Sequence, residues 1–375
     1  MFQDNPIFFV LFIAFALSAA VQLFYYLYFY LAVTLYKRPE TGKCEEPVSV
    51  IICARNESEN LRENLPSILS QDYHDYEVIV VNDCSEDNSY EVLGEYLGRY
   101  PRLRVSNVNK DPKFTHNKKF AQFIGIKAAK NDILVFTDAD CRPESDKWLS
   151  YMVSNFTGTT DFVLGYGGYR KNRGLLNHYI RYDTLMIAVQ YLGMAVRGIP
   201  YMGVGRNLAY RKSVFFENGG FGAHSHIISG DDDLFVNANA GRQNTSVEFR
   251  RESHTRSVPC TTLRNWFLQK KRHFTTAPLY KAKHKLLLAT EPASRLLFYI
   301  SFIVLLSFLY LWIWLLVIFG IRLVIQLTVM LTCQRKLNEP GIAVFSLFFD
   351  IFSPIINSAV LISNFISRPG KNQWK

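Results

Sequence analysis

Asp138 and Asp140 stand one residue apart at the end of "ILVFTDAD", where the apolar run Ile133 to Phe136 reads as a buried strand. Residues two apart on a strand point the same way, and two facing carboxylates are costly unless a positive charge lies between them. A hard divalent cation, Mg2+ or Mn2+, takes oxygen ligands and keeps open positions for substrate phosphates. Asp-x-Asp also occurs as a solvated turn, so its setting at a strand end is what favours a metal. No stretch matches a phosphate-cradling P-loop. "GYGG" (165–168) and "GVG" (203–205) lack the strand, spacing and helix of a dinucleotide fingerprint. A diphosphate would then depend on a cation and on basic side chains.

The elements around this pair form an alternating series. Val48 to Ile52, Glu77 to Val81, Leu103 to Ser106 and Ile133 to Phe136 read as short apolar strands. Asn60 to Leu69, Tyr90 to Tyr100 and "KKFAQFIGIKAAK" read as the helices between them. Continuous apolar strands alternating with helices predict a parallel sheet covered on both faces. Ligands of such sheets sit beyond the carboxyl ends of the strands. Those ends read Ala54-Arg55-Asn56-Glu57, Asn82-Asp83 and Asp138-Ala139-Asp140, and they should converge on one edge.

The 375 residues divide into three parts: an amino-terminal membrane anchor (1–38), a globular domain (39–285) and a carboxy-terminal membrane region (286–375). Pro6 to Tyr36 contains no charged residue and exceeds the roughly 20 residues that span a bilayer. It lacks the basic start and small-residue cleavage site of a signal peptide, which favours a retained anchor. Leu296 to about Thr332 has the length of two spanning helices joined near Leu311 to Trp314. Ile342 to Ile366, interrupted by Asp350 and Pro354, either spans, re-enters or lies in the interface; the charge rule applied to Lys371 and Lys375 favours the last two.

A net charge of +10 raises the question of nucleic acid. The basic residues argue against it, because Lys37, Arg38, Lys281, Lys283, Lys285, Arg335 and Lys336 all flank apolar segments. That bias places the globular domain in the cytoplasm. The six cysteines show no zinc spacing and read as reduced thiols. His224 and His226 read as surface histidines before they read as metal ligands.

Five ordered stretches, "VSVIICARNESENL", "VNDCSEDNS", "NKKFAQFIGIKAAKNDILVFTDADC", "SGDDDLF" and "QKKRHF", resemble the membrane-bound family 2 glycosyltransferases, inverting enzymes of the GT-A fold, over about residues 47–275. The resemblance implies an α/β fold: a GT-A nucleotide-diphospho-sugar transferase domain, Rossmann-like with a mostly parallel sheet, flanked by transmembrane helices. It implies that Ala54, Arg55, Asn56, Glu57 and Asp83 hold the donor nucleoside. Lys118 reaches the donor, with Asn117 replacing a common glycine. Asp138 and Asp140 take the metal and diphosphate. In "GVGRNLAYRKS", Arg206 and Asn207 either line the donor sugar or belong to a buried strand.

Aligned on Leu234, the acidic run places the catalytic base at Asp231 or, one residue on, Asp232, with Asp233 the second acid; Gly230 replaces the usual Glu. A base within hydrogen-bond reach of the attacking hydroxyl is what inverting transfer needs; the alternative is an acid-decorated helix start, which the helix dipole also favours. Gln269 and Arg272 would hold the diphosphate, and His273 stands where processive members carry Trp. The expected activity is sugar transfer, UDP-linked by preference, to a lipid, lipid-linked or envelope-glycan hydroxyl at the cytoplasmic membrane. The rivals are a processive, exporting polysaccharide synthase and a non-catalytic nucleotide-sugar-binding subunit of an envelope complex. A channel or transporter is disfavoured by the long globular domain and the uncharged first two membrane runs.

Overall fold

The computed structural model describes residues 6–38, 44–110, 117–224, 227 and 229–366. His226, Lys371 and Lys375 lie outside the described residues. The chain opens with α1 (Pro6–Phe24), a π-helical stretch (Tyr25–Tyr30) and α2 (Leu31–Leu35), which together form one uninterrupted helix of 30 residues. There follow β1 (Val48–Ala54), α3 (Ser58–Leu69), β2 (Tyr76–Asp83), α4 (Ser89–Leu97), β3 (Leu103–Val108), α5 (Lys118–Ala128) and β4 (Ile133–Asp138). These are the predicted elements in the predicted order. The strands pair in parallel in the order β3-β2-β1-β4.

The second half departs from simple alternation. It runs β5 (Cys141–Pro143), α6 (Trp148–Val153), β6 (Phe162–Gly165), β7 (Gly167–Tyr169), α7 (Leu175–Val196), β8 (Leu208–Arg211), α8 (Lys212–Glu217), α9 (Asp233–Asn239), β9 (Thr245–Glu248) and β10 (Thr255–Ser257). β8 inserts antiparallel between β4 and β6, and β9 closes the seven-stranded sheet beside β6. β5, β10 and β7 form a separate small sheet that carries the chain past Asp140.

Alternate strand residues feed two cores, as the pleat requires. Val50, Val78 and Val135 face one way, while Ile51, Ile79 and Phe136 face the other. α5 lies close on the second face: a Cβ at Gly125 would stand 2.7 Å from Ile51 Cγ2. That second core runs without a break into the membrane helices, through Tyr26, Phe29 and Tyr30 of the π-helical stretch and Met330 and Phe349 further on. The wide π turn brings the backbone against α7, where a Cβ at Gly193 would lie 2.3 Å from Phe29 O. The anchor is thus part of the globular core rather than a tether to it.

After α10 (Leu263–His273) come α11 (Ala282–Ser307), α12 (Trp312–Lys336) and α13 (Ile342–Ile366). With the amino-terminal helix, the last three make four helices among the described residues that are long and apolar enough to cross a membrane. α11 begins well before the predicted Leu296, because Ala282 to Arg295 continues the helix toward the globular domain. The turn falls at 308–311, with Leu309 and Leu311 in the left-handed region. α13 is one continuous helix over the stretch for which the sequence left a spanning, re-entrant or interfacial segment open. Its Asp350 is 0% exposed and bonds to Arg322 (2.7 Å), Arg295 (3.1 Å) and Tyr299 (2.6 Å). An inward, paired carboxylate is compatible with a membrane helix.

Candidate active site

Two of the three predicted strand ends, those after β1 and β4, meet at one cavity, while Asn82 and Asp83 stand outside its lining. Asp138 closes β4 beside β1, and Lys118 opens α5, whose start is capped by Asn117 Oδ1 accepting from Phe120 N at 3.0 Å. Lys118 Nζ lies 2.8 Å from Asp138 Oδ1 and 3.1 Å from Asp231 Oδ2. Burial works against its charge, but Asp138, Asp231 and Asp232 hold its pKa well above that of an ordinary lysine. Burial likewise works against the Asp138 carboxylate, and Lys118, Arg206 and Arg272 outweigh it, leaving the pKa below the usual value. Part of the positive charge that the Asp-x-Asp pair requires therefore comes from the chain itself.

Asp140 accepts a hydrogen bond from Ser257 Oγ at 2.8 Å, across the small sheet. Ligand atoms of Asp138, Asp140 and Cys141 lie within 4.8 Å of one another. The two carboxylates fit a hard divalent cation. The Cys141 thiol does not, since burial and the neighbouring acids push its pKa well up.

Each acid of the 231–233 run has a different environment. Asp231 is buried and faces Lys118. Asp232 caps α9, accepting from Asp233 N (2.8 Å) with one oxygen and from Gly205 N (2.6 Å) with the other. Burial and the charges of Asp231 and Asp233 push its pKa up to about 7. Asp233 accepts from Thr276 Oγ1 (2.5 Å) and Tyr280 Oη (2.6 Å), and so ties α9 to the connection between α10 and α11. Lys119, absent from the sequence-level prediction, is buried and donates to the carbonyls of His224 (2.8 Å) and Ile227 (3.0 Å). It holds the approach to Asp231 from the turn that also presents Lys118.

Arg206 is fixed through its carbonyl, which accepts from Thr137 Oγ1 (3.1 Å) and Thr255 Oγ1 (2.9 Å). Its guanidinium lies 4.4 Å over the Tyr169 ring, and its buried Nη1 has no hydrogen-bond partner among the described residues. Tyr169 in turn meets Gln269 Oε1 at 3.5 Å. The two lysines between Gln269 and Arg272 are anchors: Lys270 pairs with Asp183 of α7 (2.7 Å), and Lys271 donates to Ser363 of α13 (3.0 Å). They fasten α10 to α7 and to the membrane-length α13, while Gln269, Arg272 and His273 line the site beside Lys270.

One cavity of 660 Å³ unites Arg55, Glu57, Lys118, Asp138, Asp140, Arg206, the 231–233 acids, Gln269 and Arg272. Ala54, Asn56 and Asp83 stand outside its lining. Ala54 and Asp83 are fully buried at the ends of β1 and β2. Asn56 has φ of 56° and joins two loops, its N–H donating to Ser85 Oγ (2.9 Å) and its Oδ1 accepting from Glu86 N (2.8 Å).

Asn207 is a correction. It is 0% exposed, its Oδ1 accepts from Trp148 Nε1 (2.9 Å) and its Nδ2 donates to the carbonyls of Tyr166 (2.9 Å) and Ser253 (2.8 Å). The amide is spent on joining the start of β8 to three other segments and is not presented to a donor. The buried-strand reading holds for this residue, while Arg206 beside it faces the cavity.

A parallel half-sheet with an antiparallel insertion, carrying Asp-x-Asp at the switch between them, is the GT-A glycosyltransferase architecture. The solved mannosyltransferase PcManGT from Pyrobaculum calidifontis, in complex with GDP-Man and Mn2+, shares this fold with a TM-score of 0.60 at 18% identity, over 94% of this chain and 98% of that one. The model of glycosyl transferase family 21 matches residues 11–370, and the chain belongs to that family. Glycosyltransferase AglE of Haloferax volcanii is 31% identical over 49% of this chain and 58% of its own length. A poly-beta-1,6-N-acetyl-D-glucosamine synthase of Staphylococcus epidermidis is 32% identical over 30% of this chain. The chain spans 58% of the length of the first relative and 26% of the second.

Proposed function

We propose that this protein is an inverting glycosyltransferase that moves a sugar from a nucleotide-diphosphate donor, UDP-linked by preference, to a hydroxyl of a lipid or lipid-linked acceptor at the cytoplasmic face of the membrane. The observation that carries the reading is the continuity of the cavity. Lys118, Asp138 and Asp231 line one end, and Leu288, Pro292 and Leu361 of the membrane helices line the other. A water-soluble acceptor would not need that second end.

Asp138 and Asp140 would hold Mg2+ or Mn2+, which when bound neutralises charge on the leaving diphosphate. Lys118, Arg206 and Arg272 face the same end and offer cationic donors to phosphate oxygens; the planar fork of arginine suits them. Asp231 is the base: it faces the cavity and, among the described residues, makes no hydrogen bond beyond its Lys118 ion pair, which leaves it able to take the hydroxyl proton once the donor draws Lys118 away. Asp232 and Asp233 are committed to backbone and hydroxyl donors and hold the loop in place. Arg55 and Glu57 would contact the nucleoside, and Ala54, Asn56 and Asp83, outside the cavity lining, would support them.

The test is Asp231→Asn. Transfer is abolished while UDP and Mn2+ binding persist. Loss of binding together with transfer would put Asp231 in the donor site instead. Product length separates single transfer, which adds one sugar, from chain extension, which gives a ladder.

A further inference from the structure

A second cavity, of 490 Å³, lies on the far side of α7 from the site described above. Its walls are the carboxy-terminal end of α7, the end of the amino-terminal helix and β9, and they carry three arginines: Arg38, Arg197 and Arg242. Arg197 caps α7; its Nε donates to Tyr28 O at 2.8 Å and its guanidinium stacks 4.6 Å from the Tyr28 ring. Its terminal nitrogens make no hydrogen bond among the described residues, and Arg242 makes neither a hydrogen bond nor an ion pair there.

The pocket is built rather than accidental. Gly198, with φ of 78°, ends α7, and a Cβ on it would stand 2.8 Å from Arg242 Cγ and Cδ, so this glycine lets the Arg242 stem lie along the backbone. No acid is among the lining residues; Glu248, 3.8 Å from Arg38, is buried and already bound by Arg250 and Asn155. Thr245 and Ser246 complete the lining with hydroxyls.

Position in the membrane gives the charge a meaning. A helix of 30 residues is about 45 Å long, against about 30 Å for the hydrocarbon core. The excess is about ten residues, and Lys37 and Arg38, which follow just after the helix, put it at the carboxy-terminal end, at headgroup level, where tyrosines collect. Tyr28 and Tyr36 fall there, beside the cavity.

We propose that this cavity binds a phosphoryl group, that of an anionic phospholipid headgroup in the leaflet around the end of the amino-terminal helix. Arg197 and Arg242 hold the phosphate oxygens, and Tyr28 and Tyr36 pack against the glycerol. A soluble phosphate is the other source of the same chemistry.

The experiment uses the full chain in lipid nanodiscs, with Arg197→Gln/Arg242→Gln as the variant. Phosphatidylglycerol, compared with phosphatidylcholine alone, raises the melting temperature of the wild type, and native mass spectrometry retains one phosphatidylglycerol per chain. The variant binds that lipid at least about tenfold more weakly, and its melting temperature no longer responds to phosphatidylglycerol, whatever baseline the lost Arg197–Tyr28 bond sets in phosphatidylcholine. Should the double variant fail to fold, Arg242→Gln alone, on an exposed side chain, carries the comparison. Protection by inorganic phosphate that the variant loses would keep the site and assign it to a soluble ligand. Equal lipid retention by wild type and variant, or no response to either probe, overturns the proposal.

Discussion

Lys118 and Asp231 are ion-paired at 3.1 Å, and the same amine lies 2.8 Å from Asp138. One lysine thus joins the carboxylate expected to take a proton to the carboxylate expected to face the diphosphate. Lys118→Met leaves both acids without that charge. Transfer should fall about 100-fold or more, the scale of losing one preorganised charge-stabilising group. Mn2+ should stabilise the variant more than the wild type, because the cation then supplies the missing charge. Unchanged turnover would remove Lys118 from the account.

Asn207 makes the opposite prediction. Its three hydrogen bonds are internal, so Asn207→Ala should cost about 1–3 kcal/mol of folding stability for buried groups left unpaired. The donor KM of the surviving folded protein should not change. Thermal unfolding beside donor titration checks this, and a donor defect without destabilisation would restore Asn207 to the site.

How much could be read beforehand follows from where the information lies. β1, β2 and β4 were legible because each carries an apolar run, and β3 (LRVSNV) because of its place in the strand–helix alternation. The β8 insertion was not, since "LAYR" gives no sign of its partners. Ser257 reaches Asp140 only through the pairing of β10 with β5, 117 residues apart in sequence. Lys270 and Lys271 looked like spacers in "QKKRHF", and only the position of α10 between α7 and α13 makes them anchors. Lys119 adjoins a predicted site residue, and its neighbour's role hid its own.

The membrane network gives a stability prediction. Asp350 balances Arg295 and Arg322 inside the bundle. Asp350→Leu leaves the buried Arg322 without its acid, while Arg295 keeps Glu291 at 2.5 Å, and should cost about 3–5 kcal/mol. Adding Arg322→Met should recover part of this, as read by unfolding in detergent. A neutral single variant would show that the network does not hold the helices together.

Asp232 gives a pH dependence. Its folded pKa is pushed up to about 7 by burial and by Asp231 and Asp233. The folded chain therefore binds this proton more tightly than the unfolded chain. The group favours the fold fully below the ordinary carboxylate pKa, and that contribution is lost as pH rises through about 7. In EDTA, the melting temperature of Asp232→Asn minus that of the wild type should rise between pH 5 and pH 8. A flat difference would mean that Asp232 titrates as an ordinary carboxylate.

The most direct test of the central claim is calorimetric titration of UDP and GDP into the purified full chain, with and without Mn2+, in the wild type and in Asp140→Asn. The account predicts nucleotide binding that requires Mn2+ and is lost in Asp140→Asn, with UDP preferred. Binding that ignores both the metal and Asp140, or no binding of either nucleotide by folded protein, would contradict it.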